Sequence, residues 1–256
     1  ASGAIGTKSA LDAPKDGYTW TAGAAQDLGT YQALGSVNTS IKDWHLFLNV
    51  ANIQVIGVNP QRPWKNAKEL LDDMKARPGQ ISVATAGVTS AAHAAMDQIV
   101  KATGVKYKEV SYDGGNPAVV ATVAGEADLT TQLAVEQADM LRGKRLRALA
   151  TVSDKPLELE GYGTIPPLSA TIPGFNAPAN YFGIFIPKGV PEDVVKTVER
   201  IWKDVMPKSE ALRKYATSRG ALYNPLYGEE AQKAVFPAVQ ANAWNLHASG
   251  KTKVAP

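Results

Sequence analysis

Ser90 and His93 stand at positions i and i+3 of the stretch Ile81-Ser-Val-Ala-Thr-Ala-Gly-Val-Thr-Ser-Ala-Ala-His93. That spacing puts two side chains on one face of a helix. A serine beside a histidine is the beginning of a nucleophile–base pair. Acyl transfer also needs an orienting acid, usually with the strained elbow of a G-x-S-x-G motif, and neither stands out around Ser90. His93 and Asp97, at i and i+4, have the spacing of two metal ligands on a helix. The chain has three histidines, His45, His93 and His247, without a second close pair, and no cysteine. A full ligand set is therefore not in view. Walker and G-x-G-x-x-G motifs are absent, which leaves nucleotide binding unsupported. No catalytic residue, metal or cofactor is assigned.

The same stretch is better suited to holding an anion. Ile81, Val83 and Ala84 suit a buried strand, Ala86-Gly87 permits a tight turn, and Ser90 is a favourable cap for a helix from Ala91 to Thr103, stopped by Gly104. A helix opening directly after a strand points unpaired N–H groups and a partial positive charge at the turn. Thr89 and Ser90 add hydroxyl donors. The result is a seat for a carboxylate; the alternative role for Ser90 is capping alone.

Composition narrows the class further. The 256 residues suffice for one large domain or two modest ones. Hydrophobic residues make up 45% and charged residues 20%, ordinary globular values. Net charge is +3, and the one basic cluster, Arg142 to Arg147, reads as a solvated turn, so no nucleic-acid partner is expected. Without cysteine there are no disulfides and no thiol nucleophile. No apolar run approaches the length of a membrane span.

The elements that would position this chemistry alternate. Strands are predicted at Tyr18–Thr21, Leu46–Val50, Gln54–Val58, Tyr107–Ser111, Ala127–Leu133, Leu146–Thr151 and Tyr181–Ile186. Helices are predicted from Asn66 to Ala76, Asn116 to Val123, Glu136 to Leu141, Pro191 to Val205, Ser209 to Ser218 and Gly228 to His247, the last kinked at Pro237. Residues 1–6 read as a loop, residues 7–11 as a helical turn and Gly161–Pro178 as an irregular connection. Alternating strands and short helices predict parallel α/β sheets, which bind ligands beyond the carboxyl ends of their strands. Small-residue turns at about 22–27, 85–90 and 112–116, joined by Thr130-Thr-Gln132, would lie there. Asp128 is expected to be a buried, hydrogen-bonded carboxylate that ties loops together.

Several segments resemble the extracytoplasmic solute receptors of the tripartite tricarboxylate transporter family, the Bug proteins. They are Pro14-Lys-Asp-Gly-Tyr-Thr19, Val58-Asn-Pro60, Ala67-Lys-Glu-Leu-Leu71, Pro78-Gly79, Ala86 to His93, Val110-Ser-Tyr-Asp-Gly-Gly115, Gly125-Glu-Ala-Asp128 and Gly183-Ile-Phe-Ile-Pro-Lys-Gly189. They follow the family order over nearly the whole chain.

The resemblance implies a two-lobed periplasmic-binding-protein fold, type II-like, with the ligand in the interlobe cleft. Residues 1–57 and 179–256 would form lobe 1 and residues 58–178 lobe 2. It implies no enzyme. The function expected is capture of a small mono-, di- or tricarboxylate, aromatic acids included, for delivery to membrane transporter subunits. The alternative is a sensor of the same fold that presents its ligand to a signalling partner. The receptor would be a periplasmic monomer whose signal peptide has been removed. Expected ligand contacts are Ala25 and Gln26 in lobe 1 and Gly87, Thr89, Ser90, His93 and Gln132 in lobe 2, with His93 either contacting ligand or bracing the loop. Where relatives carry Ser or Thr, Ala25 removes a hydroxyl, and Asp27 would repel an anion unless turned away. Relatives carry a strand, a Gly-rich loop and a helix before the segment matching Ala1, so lobe 1 is expected to lack its N-terminal part.

Overall fold

In a computed structural model, residues 3–88 and 90–252 are described. The elements, in chain order, are α1 (Ala4–Asp12), β1 (Thr21–Ala24), α2 (Asp27–Ala33), β2 (Trp44–Asn52), β3 (Val55–Val58), α3 (Ala67–Ala76), β4 (Ser82–Thr85), α4 (Ala91–Thr103), β5 (Lys108–Ser111) and α5 (Gly115–Ala124). They continue with β6 (Leu129–Thr130), α6 (Ala134–Arg142), β7 (Arg147–Thr151), β8 (Leu157–Leu159), β9 (Gly163–Ile165), β10 (Asn180–Pro187), α7 (Glu192–Asp204), α8 (Glu210–Ser218), β11 (Ala221–Tyr227) and α9 (Gly228–Ala248).

The chain divides into two compact units: residues 1–51, 180–216 and 222–256 form the first, and residues 52–179 and 217–221 the second. The first crossing thus falls at Ala51/Asn52 rather than at 57/58, because β3 pairs with β6 and β7 and so belongs to the second unit's sheet. Residues 217–221 were not foreseen in the second unit. They are held there by Arg219, whose guanidinium lies 2.6 Å from Asp139 Oδ2, and by the Arg142 hydrogen bond to the Ser218 carbonyl.

In the second unit the sheet order is β5-β4-β6-β3-β7. Strands β4, β5 and β6 run parallel, while β3 is antiparallel to both its neighbours. The expected all-parallel sheet is therefore mixed. Alternation along β3 sends Ile56 and Val58 to one face, against Leu70 and Met74 of α3 and Met96 and Ile99 of α4. Val55 points to the other, against Val119 of α5 and Ala138 and Leu141 of α6. This places helices on both faces, so the strands must be apolar on both sides.

The first unit's sheet has the order β1-β10-β2-β11. Leu46 and Leu48 pack with Leu28 of α2 and Val235 of α9, while Phe47 packs on Trp202 of α7, ring centroids 5.3 Å apart.

The departures among the strands share one cause. Residues 4–6, expected as loop, join the expected helical turn at 7–11 in one helix, and the first strand is Thr21–Ala24 rather than residues 18–21. Tyr18 is 93% exposed, while Thr21 to Ala24 pair with Phe185 to Phe182 of β10. Of the run Ala127–Leu133 only Leu129–Thr130 is strand, and Gly161–Pro178 contains β9, which pairs with β8. Pairing with distant partners, not local propensity, sets these limits. The last helix, Gly228–Ala248, contains Pro237 within its span.

Candidate functional site

Strand β4 ends at Thr85, and the chain turns through Ala86–Ser90 into α4. Gly87 has φ +91°, a left-handed conformation that a side chain would strain, and its N–H donates to Thr85 Oγ1 at 3.1 Å. The Ser90 N–H donates to the Gly87 carbonyl at 3.0 Å. Ser90 caps α4: its Oγ accepts from the His93 N–H at 3.2 Å. A hydroxyl that accepts in this way keeps its own proton to donate. Thr89 lies outside the described residues.

His93 is 4% exposed and lies beneath this loop. Its Nδ1 is 2.7 Å from Glu109 Oε1, and its Nε2 is 3.4 Å from Asp97 Oδ2. Thr85 Oγ1 also donates to Glu109 Oε1, at 2.7 Å. Both ring nitrogens thus face carboxylates. Neither is left to take a proton from Ser90, which argues against a nucleophilic pair. The geometry favours His93 as the brace of the loop.

Gln132 follows β6 and is 2% exposed. With its amide oriented to match its neighbours, its oxygen accepts from the Ala86 N–H at 3.1 Å and its nitrogen donates to Glu136 Oε2 at 3.1 Å. The side chain therefore ties the end of β6 to the 86–90 loop. Glu136 also accepts from the Leu133 N–H at 3.1 Å, and burial pushes its pKa above the usual carboxylate range. Its carboxyl lies against Gly115, the first residue of α5, where an added methyl group would meet Oε1 at 2.0 Å. The loops that end β4, β5 and β6 meet through these contacts. At the opposite end of the sheet Asp128 has the role expected of it. Its Oδ2 accepts from Ser82 N (2.7 Å) and Ser82 Oγ (2.8 Å), and its Oδ1 pairs with Arg62 at 2.7 Å.

Of the residues named from sequence, Gly87, Ser90, His93 and Gln132 are thus gathered in the second unit. Ala25 and Gln26 belong to the first. Ala25 is fully buried and its N–H donates to the Tyr181 carbonyl at 2.9 Å. Gln26 is 5% exposed, and its carbonyl accepts from the Gly29 and Thr30 N–H groups at the start of α2. Asp27 beside it is half-buried, and burial pushes its pKa up to about 7. Its charge is therefore only partly present at neutral pH. Thr85, Glu109, Glu136 and Gly115 were not anticipated. Glu136 had one sequence signal, its place three residues after the Leu133 cap; Glu109 had none.

The family model described as "Tripartite tricarboxylate transporter family receptor" matches residues 1–246. The chain belongs to this receptor family. Among its relatives, the UPF0065 protein in the tcbD-tcbE intergenic region of Pseudomonas sp. (strain P51) is 30% identical over 199 residues, 76% of this chain. That alignment spans 58% of the relative's own length. Protein BugT of Bordetella pertussis is 26% identical over 95% of this chain and 74% of its own.

A solved structure described as a periplasmic transporter has a TM-score of 0.85 at 25% identity, over 98% of this chain and 84% of that one. MatC from Rhodopseudomonas palustris with bound malate gives 0.76 at 21%, over 94% and 85%. A second R. palustris protein, solved with adipate, gives 0.80 at 19%, over 97% and 83%. These last two likenesses concern the fold. This Bug-family receptor thus has the two-lobed α/β fold of periplasmic binding proteins, and its family and fold are those of binding receptors. Among the described residues no helix is long and apolar enough to cross a membrane.

Proposed function

We propose that this protein is a periplasmic receptor that captures a small organic carboxylate and delivers it to a tripartite tricarboxylate-type membrane transporter, without transforming it. The observation that carries the reading is the N-terminus of α4. It opens from a short loop whose first N–H is held by Gln132, whose glycine is held by Thr85, and whose first helical turn is braced by His93 on Glu109. A loop fixed in this way holds the Ser90 hydroxyl and the start of α4 in a constant geometry, which suits an anion. Family membership supports the transport role, and the malate and adipate held by proteins of this fold support a carboxylate as cargo.

Calorimetric or thermal-shift titration with a panel of mono-, di- and tricarboxylates, aromatic acids included, tests the reading. At least one member should bind and raise the melting temperature. Silence across the panel would refute carboxylate capture. If Ser90 donates to the bound group, Ser90→Ala should weaken binding by about 1–3 kcal/mol.

A further inference from the structure

Where β7 begins, six cationic side chains gather from three stretches of the second unit. Arg142, Lys144, Arg145 and Arg147 belong to the connection between α6 and β7. Arg147 donates from Nη2 to the Arg62 carbonyl at 2.7 Å, which brings in Arg62. Arg219 joins through Asp139, whose carboxylate lies 2.6 Å from Arg219 and 3.1 Å from Arg142. Two further carboxylates belong to this set: Asp128, paired with Arg62 at 2.7 Å, and that of Glu160, whose carbonyl accepts from Arg142 Nε. Six cations against three carboxylates leave an excess of +3, which is the net charge of the entire chain. The rest of the sequence is balanced.

The connection is held by its backbone. The N–H groups of residues 143–146 all donate to carbonyls in the last turn of α6, and Leu146 is buried. Lys144 has φ +55°, the one positive φ outside glycine among the described residues. Gly or Asn takes that conformation at less cost, so a lysine here keeps its charge against a backbone penalty. Lys144 and Arg145 are exposed, and neither makes a hydrogen bond or ion pair among the described residues. No exposed large hydrophobic residue falls within residues 59–65 or 139–150. A protein interface is built around an apolar core, which this surface does not offer. A layer of phosphate headgroups needs only charge and guanidinium donors. The cluster sits at the sheet end that holds Asp128, opposite the 86–90 loop, so contact there leaves that loop uncovered. We propose that this basic end of the second unit docks on anionic phospholipid headgroups and holds the receptor at a membrane surface.

The test is co-sedimentation of the full chain with vesicles of phosphatidylcholine alone and of phosphatidylcholine mixed with phosphatidylglycerol, at low and high salt. The chain should pellet with the anionic vesicles only, and salt should release it. Lys144→Asn combined with Arg145→Gln removes two exposed charges, and Asn tolerates the left-handed position, so the melting curve should be kept. This double variant should bind anionic vesicles about tenfold or more weakly. Lys196→Gln combined with Lys233→Gln removes the same net charge from exposed helices of the first unit and should leave vesicle binding unchanged. Equal binding to both vesicle types, wild-type binding by the turn variant, or an equal loss in the first-unit variant would overturn the inference. So would capture on immobilised polyglutamate without vesicle binding, which assigns the surface to an acidic protein instead. Carboxylate capture is independent of these outcomes, and the turn variant should retain it.

Discussion

His93 Nδ1 lies 2.7 Å from Glu109 Oε1, although the two residues come from different elements, α4 and β5. The register that pairs Val83 with Glu109 and Thr85 with Ser111 brings the carboxylate under the helix. Glu109 then accepts from Thr85 as well, so strand, helix and loop share one acceptor.

Because both partners are largely withdrawn from water, His93→Ala should remove one buried contact of Glu109 and leave a gap beside it. A loss of about 2–4 kcal/mol in urea unfolding is expected. Glu109→Gln should cost less, and the two together less than their sum. Strictly additive losses would show that the contact carries no coupling.

Ser90→Ala removes the Oγ that accepts from the His93 N–H. Stability should fall by about 1 kcal/mol, the usual worth of a serine cap. Ser90→Asp should keep the cap while placing a negative charge at the helix N-terminus, so it should restore stability and impair carboxylate binding. Binding by the aspartate variant equal to wild type would remove Ser90 from the ligand's surroundings.

Asp27 makes stability depend on pH. Burial raises its folded pKa from 3.8 to about 7, so the folded chain holds that proton more tightly than the unfolded chain between these values. Stability contributed by this group is therefore lost as pH rises from about 4 to about 7, by at most about 4 kcal/mol and less for a partly exposed group. Asp27→Asn should flatten the slope of melting temperature against pH across that window. Parallel curves for variant and wild type would place the titration elsewhere.

Gly183 sits in β10 where an added methyl group would meet the Phe47 carbonyl oxygen at 2.1 Å and the Leu48 Cα at 2.8 Å. Both contacts are backbone and cannot rotate away. Gly183→Ala should therefore destabilise the first unit by about 2 kcal/mol or more. An unchanged unfolding midpoint would mean that the sheet opens at this point more easily than its contacts suggest.

Helix limits were legible in the residues because caps are local. Asn66 accepts from Glu69 N–H, Ser90 from His93 N–H, and Gly104 closes α4 with φ +71°. Each bond or turn spans only a few residues, so a short window of sequence contains both its ends. Strands were less legible. β11 reads Ala-Leu-Tyr-Asn-Pro-Leu-Tyr, and Pro225 argues against a central strand. It is a strand because it lies at the edge of its sheet, beside β2, where a missing N–H is tolerated. Likewise β1 begins at Thr21, where β10 offers partners, and not at Tyr18.

The residues alone therefore determined the receptor family, the alternation of strands and helices, and the serine-capped helix after β4, since these depend on types and spacings along the chain. Tertiary structure alone decided that His93 braces on Glu109 and that Gln132 reaches Ala86. It also decided that Glu136 comes to rest on Gly115. Those contacts join separate elements, and no periodicity encodes them. They exist because strand pairing brings the ends of β4, β5 and β6 to one side of the sheet, and buried polar atoms there must find partners or remain without them.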